Sequence, residues 1–328
     1  MTLSSRQQEF ETAGRPVGFD ILIADDFVLS ELASVVDVLM IANRVTVTPR
    51  FQWTFRSLYG GTIRSRTGVK VDTAPVPDRP DVAYLFVIGN SDADNPALSV
   101  GGHVARYTFR DAKVFLLAEA ASRYIAEHGA RHGSLTTHWE NSAMLRERQG
   151  VFDAQSAFAV EDGQVVTCAG MGATMDIVLS LIGKHVSAAA KMTVADIMLH
   201  ERIRDFSTQQ PYSGIKGTNT GDAELDDCLE LMAANIEEPL PIQELVRLLG
   251  MSSRSLERKF RIYLDTTPNT YYRELRLSKA NNLLLNTTMS VREVGLACGF
   301  GSGFSSLYKS FFGVTPLAVR KQRRMRVS

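Results

Sequence analysis

Four charged side chains in one short stretch, Arg254, Glu257, Arg258 and Arg261, lie opposite Leu256, Phe260 and Leu264, which recur at helical spacing. Arginine can donate two bonds to the edge of a guanine and glutamate can accept one from a cytosine, so this face has the chemistry of base recognition. A second chemistry is nucleophilic. Cys168 stands in Val165-Val166-Thr167-Cys168-Ala169-Gly170, an apolar run entering a turn, and His138 could act as its base if the fold brings the two together. A free cysteine is as readily a small buried apolar residue. A third chemistry is carboxylate recognition of a cation by Asp25, Asp26 and Glu31, although acidic side chains in such loops are commonly just solvated. The three cysteines, Cys168, Cys228 and Cys298, are scattered, with neither a disulfide framework nor metal-site spacing, so no metal and no cofactor is expected.

The charged face needs elements to hold it. Ile242, Leu245, Val246, Leu248 and Leu249 fit one helix, Gly250-Met251 closes it, and Ser252 or Ser253 can cap the next, which carries Arg254 to Arg261. Helix, glycine turn, helix is the motif that seats its second helix in the DNA major groove. The pattern recurs. Val291, Val294, Leu296 and Ala297 form a first helix, Cys298-Gly299-Phe300 ends it, and Phe304, Leu307, Tyr308 and Phe311 form a second, which Gly313-Val314-Thr315-Pro316 is expected to stop. Between the patterns, Pro268 to Asn286 reads as one helix, which at 1.5 Å per residue is about 28 Å long, near the ~34 Å between successive major-groove faces. One chain could therefore seat two reading helices on one side of a duplex. Any one of these helices alone would pass for an ordinary bundle helix; the repeated pattern with a fitted connector does not.

Charge follows the same division. The whole chain balances 36 basic against 36 acidic residues, yet from Pro241 onward 15 Lys and Arg stand against 5 Asp and Glu, leaving 21 against 31 upstream. The basic end has the electrostatic footprint of a phosphate-backbone binder. The final run Arg320-Lys321-Gln322-Arg323-Arg324-Met325-Arg326 adds to it and is expected to be a solvated end.

The residues Met251-Ser-Ser-Arg-Ser-Leu-Glu-Arg-Lys-Phe260, Thr267-Pro268, Arg276-Leu277, Ala280, Leu284-Leu285, Val294, Cys298-Gly299-Phe300 and Phe312-Gly313-Val314-Thr315-Pro316 occur in an order that resembles the DNA-binding domain of the AraC/XylS family of transcription regulators. The resemblance covers about the last 90 residues. It implies promoter DNA and RNA polymerase as partners, with activation the commoner outcome. It also implies base contacts from Arg254, Glu257 and Arg258 in the first reading helix and from positions near Ser305, Ser306 and Lys309 in the second. Only Gly301-Ser302-Gly303 separates Phe300 from Phe304, shorter than the family's usual stretch, so the second helix is expected to serve mainly phosphates.

A length of 328 residues with 45% hydrophobic content fits two domains. The N-terminus carries Glu9 and Glu11 without a sustained apolar run, so it is not a signal peptide, and no segment is long enough to span a membrane. A cytoplasmic chain is expected. Residues 1–16 read as a flexible N-terminus, 17–206 as an α/β domain, 207–222 as a linker and 223–328 as an all-α reader. Strands fit 18–24, 52–59, 82–88, 114–117 and 164–168, and helices fit 31–43, 97–110, 140–149 and 174–185, with a further helix expected over 194–206. Such alternation predicts a mostly parallel, flavodoxin-like sheet covered on both faces, with ligands outside the carboxyl ends of the strands.

Gly18-Phe19-Asp20-Ile21-Leu22, Val87-Ile88-Gly89, Thr137-His138-Trp139-Glu140 and Thr167-Cys168-Ala169-Gly170 are similar to a PfpI-like, class I glutamine amidotransferase-like domain, which precedes the AraC-type reader in the GlxA-like subgroup. Enzymes of that fold carry a nucleophilic cysteine on the sharp turn after the central strand. Here the turn after Leu117 reads Ala118-Glu119-Ala120-Ala121-Ser122, without a thiol. The resemblance therefore implies a catalytically inactive domain that binds a small-molecule effector, with Glu31, Glu119, His138 and Trp139 as its candidate pocket, and a homodimer. His138 and Trp139 read equally as a core pair. Carboxylates beside an aromatic ring would suit an amine or an amino-acid-like metabolite. Two other classes stay open at this point: a hydrolase or amidase fused to a reader, and an architectural DNA binder with a silent upper domain.

Overall fold

The computed structural model describes residues 16–46, 49–90, 92–129, 135–142, 145, 157–210 and 220–327. The expected loose N-terminus and the centre of the expected linker lie outside these residues. Backbone packing divides the chain into two compact units, 1–138 with 158–208, and 139–157 with 209–328.

The first unit is built on an eight-stranded sheet. Its strands are β1 (Val17–Leu22), β2 (Phe51–Ser57), β3 (Gly61–Arg64), β4 (Lys70–Pro75), β5 (Tyr84–Val87), β6 (Lys113–Leu117), β7 (Ala159–Asp162) and β8 (Val165–Cys168), in the order β3-β4-β2-β1-β5-β6-β8-β7. Strands β4, β2, β1, β5, β6 and β8 run parallel, while β3 and β7 close the edges antiparallel. Without the β3–β4 hairpin the parallel core has the 2-1-3-4-5 order of a flavodoxin-like sheet. Side-chain alternation explains why the central strands read as continuous apolar runs. Phe86, Ile88, Phe115 and Leu117 enter one core beneath α1 (Leu29–Val45), α4 (Ala173–Ile182) and α5 (Ala188–Ile197). Leu85, Val87, Val114 and Leu116 enter another beneath α2 (Gly101–Phe109) and α3 (Ala118–His128).

Three strands have no clear sequence signal, because β3, β4 and β7 lie at or next to the sheet edges and carry largely exposed, polar residues. The expected helix at 97–110 is a short 3-10 turn, Pro96–Leu98, capped by the Asn95 side chain, followed by α2. Residues 139–142 and 145 are helical, and the rest of the stretch expected at 140–149 lies outside the described residues. The expected helix over 194–206 is incorrect. Helix α5 ends at Ile197, Leu199 turns left-handed at φ 53°, and the chain then runs irregularly against α4. What pulls it there is Asp176, almost wholly buried in the first turn of α4. Its carboxylate accepts the His200 imidazole at 2.8 Å, the Arg204 backbone N–H at 2.8 Å and the Arg204 guanidinium at 2.6 and 2.9 Å.

The second unit is helical: α6 (Ala223–Ala234), α7 (Ile242–Leu248), α8 (Ser253–Leu264), α9 (Pro268–Asn286), α10 (Val291–Ala297), α11 (Phe304–Phe312) and α12 (Pro316–Val327). Each end has its chemical cause. Ser252, Thr267 and Ser290 cap α8, α9 and α10, Pro268 occupies the first turn of α9, and Ser290 with Glu293 forms a capping box. The expected stop at Gly313-Val314-Thr315-Pro316 is present: Gly313, left-handed at φ 76°, ends α11, and Pro316 opens a further helix, α12. Two separate cores result. Leu225, Leu229, Leu245, Leu256, Phe260 and Tyr272 form the first, and Leu277, Leu284, Val294, Phe304, Tyr308 and Val319 the second.

Candidate functional site

Helix α8 buries Leu256 and Phe260 completely, and that fixes which side faces outward. Arg254, Glu257, Arg258 and Arg261 are all exposed, and among the described residues none pairs with another. Lys259 differs from them. It turns back to Asp222, the cap of α6, and to Glu224 at 3.2 Å. The helix thus offers three unpaired guanidinium groups and one carboxylate on one face, as base and phosphate recognition needs.

Helix α11 anchors itself through Phe304 and Tyr308, whose hydroxyl donates to the Asn281 side chain, and so exposes Ser305, Ser306 and Lys309. Its N-terminus begins at left-handed Gly303 (φ 114°) without a side-chain cap, the local consequence of the short Gly301-Ser302-Gly303 connection. The basic tail is not simply solvated. Arg320 is buried in α12 and donates to the carbonyls of Thr287 and Met289, holding the α9–α10 connection.

A second constellation lies at the carboxyl ends of β1, β5, β6 and β8 in the first unit. Between β6 and α3 the chain makes a sharp turn with Ala118 at φ 41°, a strained conformation for a residue with a side chain. Beside it, the Glu31 carboxylate accepts the Gly89 N–H at 2.7 Å and the Met171 N–H at 2.8 Å. Two glycines make room. A methyl group on Gly170 would stand 2.2 Å from the Glu31 carboxylate and 2.8 Å from the Ala118 methyl, and one on Gly89 would meet both Glu119 and Glu31 within 3 Å. Glu119, half-buried, accepts the Asn90 N–H at 3.2 Å. Burial, aided by the neighbouring Glu119, raises the Glu31 carboxyl to about 8 even though the two backbone N–H groups favour its charged form, so it is mostly protonated at neutral pH. Glu31 and Glu119 were legible as candidates; Gly89, Gly170 and Met171, which shape the cradle, were not. Glycines ending two strand-like runs were the available signal.

Thr137, next to His138, donates to the Ala118 carbonyl at 2.9 Å, so the chain at His138 passes beside the cradle. Cys168 sits within β8 with no solvent exposure, and burial, with Glu31 and Glu161 adding, pushes its thiol well above the ordinary range. Asp25 and Asp26 are exposed; Asp25 accepts the Arg64 N–H at 3.0 Å and Asp26 takes a left-handed turn. His138 and Trp139 are each half-buried, His138 within the first unit and Trp139 within the second. Among the described residues no group of His, Cys, Asp or Glu could hold a metal ion, and no helix is long and apolar enough to cross a membrane.

A double helix-turn-helix with an unpaired basic face, joined in one chain to a mostly parallel α/β unit, defines a DNA-binding regulator. Comparison with known proteins makes this narrower. Residues 245–322 match the family described as "Helix-turn-helix domain". Over 318 residues the chain is 31% identical to the HTH-type transcriptional regulator GbdR of Pseudomonas aeruginosa, covering 92% of this chain and 83% of that protein. It is 28% identical over 311 residues to the HTH-type transcriptional regulator GlxA of Rhizobium meliloti, covering 93% and 95%. A solved AraC family transcriptional regulator from Pseudomonas putida covers 56% of this chain and 100% of its own, at 20% identity and a TM-score of 0.49. The chain belongs to the AraC family of transcription regulators and is similar over nearly its whole length to GlxA-like members.

Proposed function

We propose that this regulator binds promoter DNA under the control of a small molecule held, without turnover, at the strand-end cradle of its α/β domain. The observation that carries the reading is the Ala118 turn. It keeps the strained shape in which such folds present a nucleophile, but the vertex is a methyl group packed against two glycines. The buried, raised thiol of Cys168 supports the same conclusion, since a protonated thiol is a poor nucleophile. The half-buried Glu119 is the second carboxyl of the cradle beside Glu31, and an amine or amino-acid-like metabolite is the ligand class proposed for it.

In this reading residues 17–206 sense, 207–222 link and 223–328 read. Arg254, Glu257 and Arg258 contact base edges, while Ser305, Ser306 and Lys309 contact chiefly phosphates. A ligand that prefers the DNA-competent arrangement raises its population by no more than its differential affinity for the two states. The working form is a cytoplasmic homodimer that recruits RNA polymerase and activates transcription.

The test is a thermal-shift screen of amines and amino acids on the full chain, followed by DNA titration with and without each hit. A hit should shift DNA affinity, and Glu119→Gln should abolish both the thermal and the DNA response. Hits that survive Glu119→Gln unchanged would remove the cradle from the account. Amide hydrolysis by the wild-type chain that disappears in Cys168→Ser would overturn the non-catalytic reading.

A further inference from the structure

The buried cores of the two helix-turn-helix modules share no residue, so their mutual orientation depends on what crosses between them. A single connecting helix can bend and twist about its axis. The contacts around α9 resist this. Arg276, on α9, donates from Nε to the Cys298 carbonyl at 2.8 Å and from Nη2 to the Gly299 carbonyl at 2.5 Å, in the turn between α10 and α11. Its guanidinium also lies 4.2 Å from the centre of the Phe300 ring. One turn of α9 earlier, the Tyr272 hydroxyl donates to the Asn235 carbonyl and accepts the Leu240 N–H at 3.3 Å, pinning both ends of the α6–α7 loop of the first module. The middle of that loop returns to the second module. A methyl group on Gly299, left-handed at φ 67°, would stand 2.6 Å from Pro239, 2.8 Å from the Glu237 carbonyl and 2.9 Å from the Ile236 carbonyl. Ile236 itself packs on the second core. The contacts close a ring, from Tyr272 through the 235–240 loop to Gly299 and back through Arg276 to α9.

We propose that Arg276 is a positioning residue that sets the spacing between the two reading helices, and hence which separation of two half-elements on DNA the protein accepts. Arg276 need not touch DNA to do this: it holds the turn from which α11 departs, while the α6–α7 loop holds that turn from the other side. Specificity for spacing is then a property of the joint, and specificity for bases a property of α8.

The experiment uses a duplex selected from a random-sequence library by the full wild-type chain, with derivatives in which one half-element is shifted by one base pair in either direction. The wild type should bind the shifted duplexes about tenfold more weakly, a loss of the size of one mismatch. Arg276→Met should bind all spacings within about threefold of one another while keeping the wild-type base preference in the first half-element, a pattern that mere destabilisation does not produce. Cooperative melting of the variant establishes that it is folded. Should Arg276→Met not fold, Tyr272→Phe opens the ring on its other side, and the same flattening is expected of it. A folded variant of either kind that retains the wild-type spacing discrimination overturns the proposal. A wild type that protects only one half-element instead overturns the two-module mode of binding on which the proposal rests, and with it the proposal.

Discussion

Glu31 accepts two backbone N–H groups and still keeps its proton to about 8, because complete burial outweighs them. The folded chain therefore holds a proton that the unfolded chain releases near pH 4.5. The stabilisation is complete below the unfolded value, declines by about 1.4 kcal/mol per pH unit as pH rises, and is gone above the folded value of about 8. Urea unfolding of the wild type between pH 5 and 9 should show that negative slope, and Glu31→Gln should lack it, apart from a constant loss of about 1–3 kcal/mol from an N–H left facing an amide NH2. Equal slopes in the two proteins would remove Glu31 as the titrating group. On the reading helices, Arg258→Ala should cost about 1–3 kcal/mol of DNA affinity and relax preference at one base position. Lys309→Ala should weaken all sequences alike and lower the salt slope by about one. Anisotropy titrations over a salt series separate the two outcomes, and an undiminished Arg258→Ala protein would refute its role as a base reader.

Between residue and domain, what the chain does after α5 depends on Asp176. The stretch after Ile197 keeps an apolar and polar mixture compatible with helix, yet it leaves helical geometry to bring His200 and Arg204 onto one buried carboxylate. Removing Arg204 leaves that charge with His200 and one backbone N–H. Arg204→Met should therefore destabilise the first unit by about 3 kcal/mol, measured by urea unfolding, whereas Arg204→Lys should recover part of the loss. A neutral Arg204→Met would mean that His200 alone suffices. Helices α7 to α11 presented the opposite case. Ser252, Pro268, Ser290 and Gly313 mark their ends in the sequence and do so in the structure, because caps and turn formers act within a few residues of themselves. Strands β3, β4 and β7 were not legible, since their largely exposed, polar residues leave no apolar alternation to read.

For the whole molecule the relevant quantity is the distribution of charge. A chain that is neutral overall holds 15 Lys and Arg against 11 Asp and Glu from residue 223 onward, and 21 against 25 before it. The α/β domain should therefore weaken non-specific DNA binding at long range. A fragment from residue 220 onward should bind random duplex more tightly than the full chain at roughly 50 mM salt, and the difference should shrink as salt shortens the screening length. Anisotropy with a random duplex measures it. Identical affinities at low salt would show that the upstream acidity does not reach the DNA.

The sequence alone determined the reader, because amphipathic spacing, caps and glycine turns are local and a basic face can be counted from composition. It also determined that the turn after Leu117 has no thiol. Only the tertiary structure decided that this turn is strained at Ala118, that Gly89 and Gly170 close around Glu31, and that Arg276 and Gly299 join two separate cores. These are contacts between residues far apart in the chain. Burial there changes a carboxyl's proton affinity and fixes a helix's direction, and neither effect leaves a periodic trace in the residues themselves.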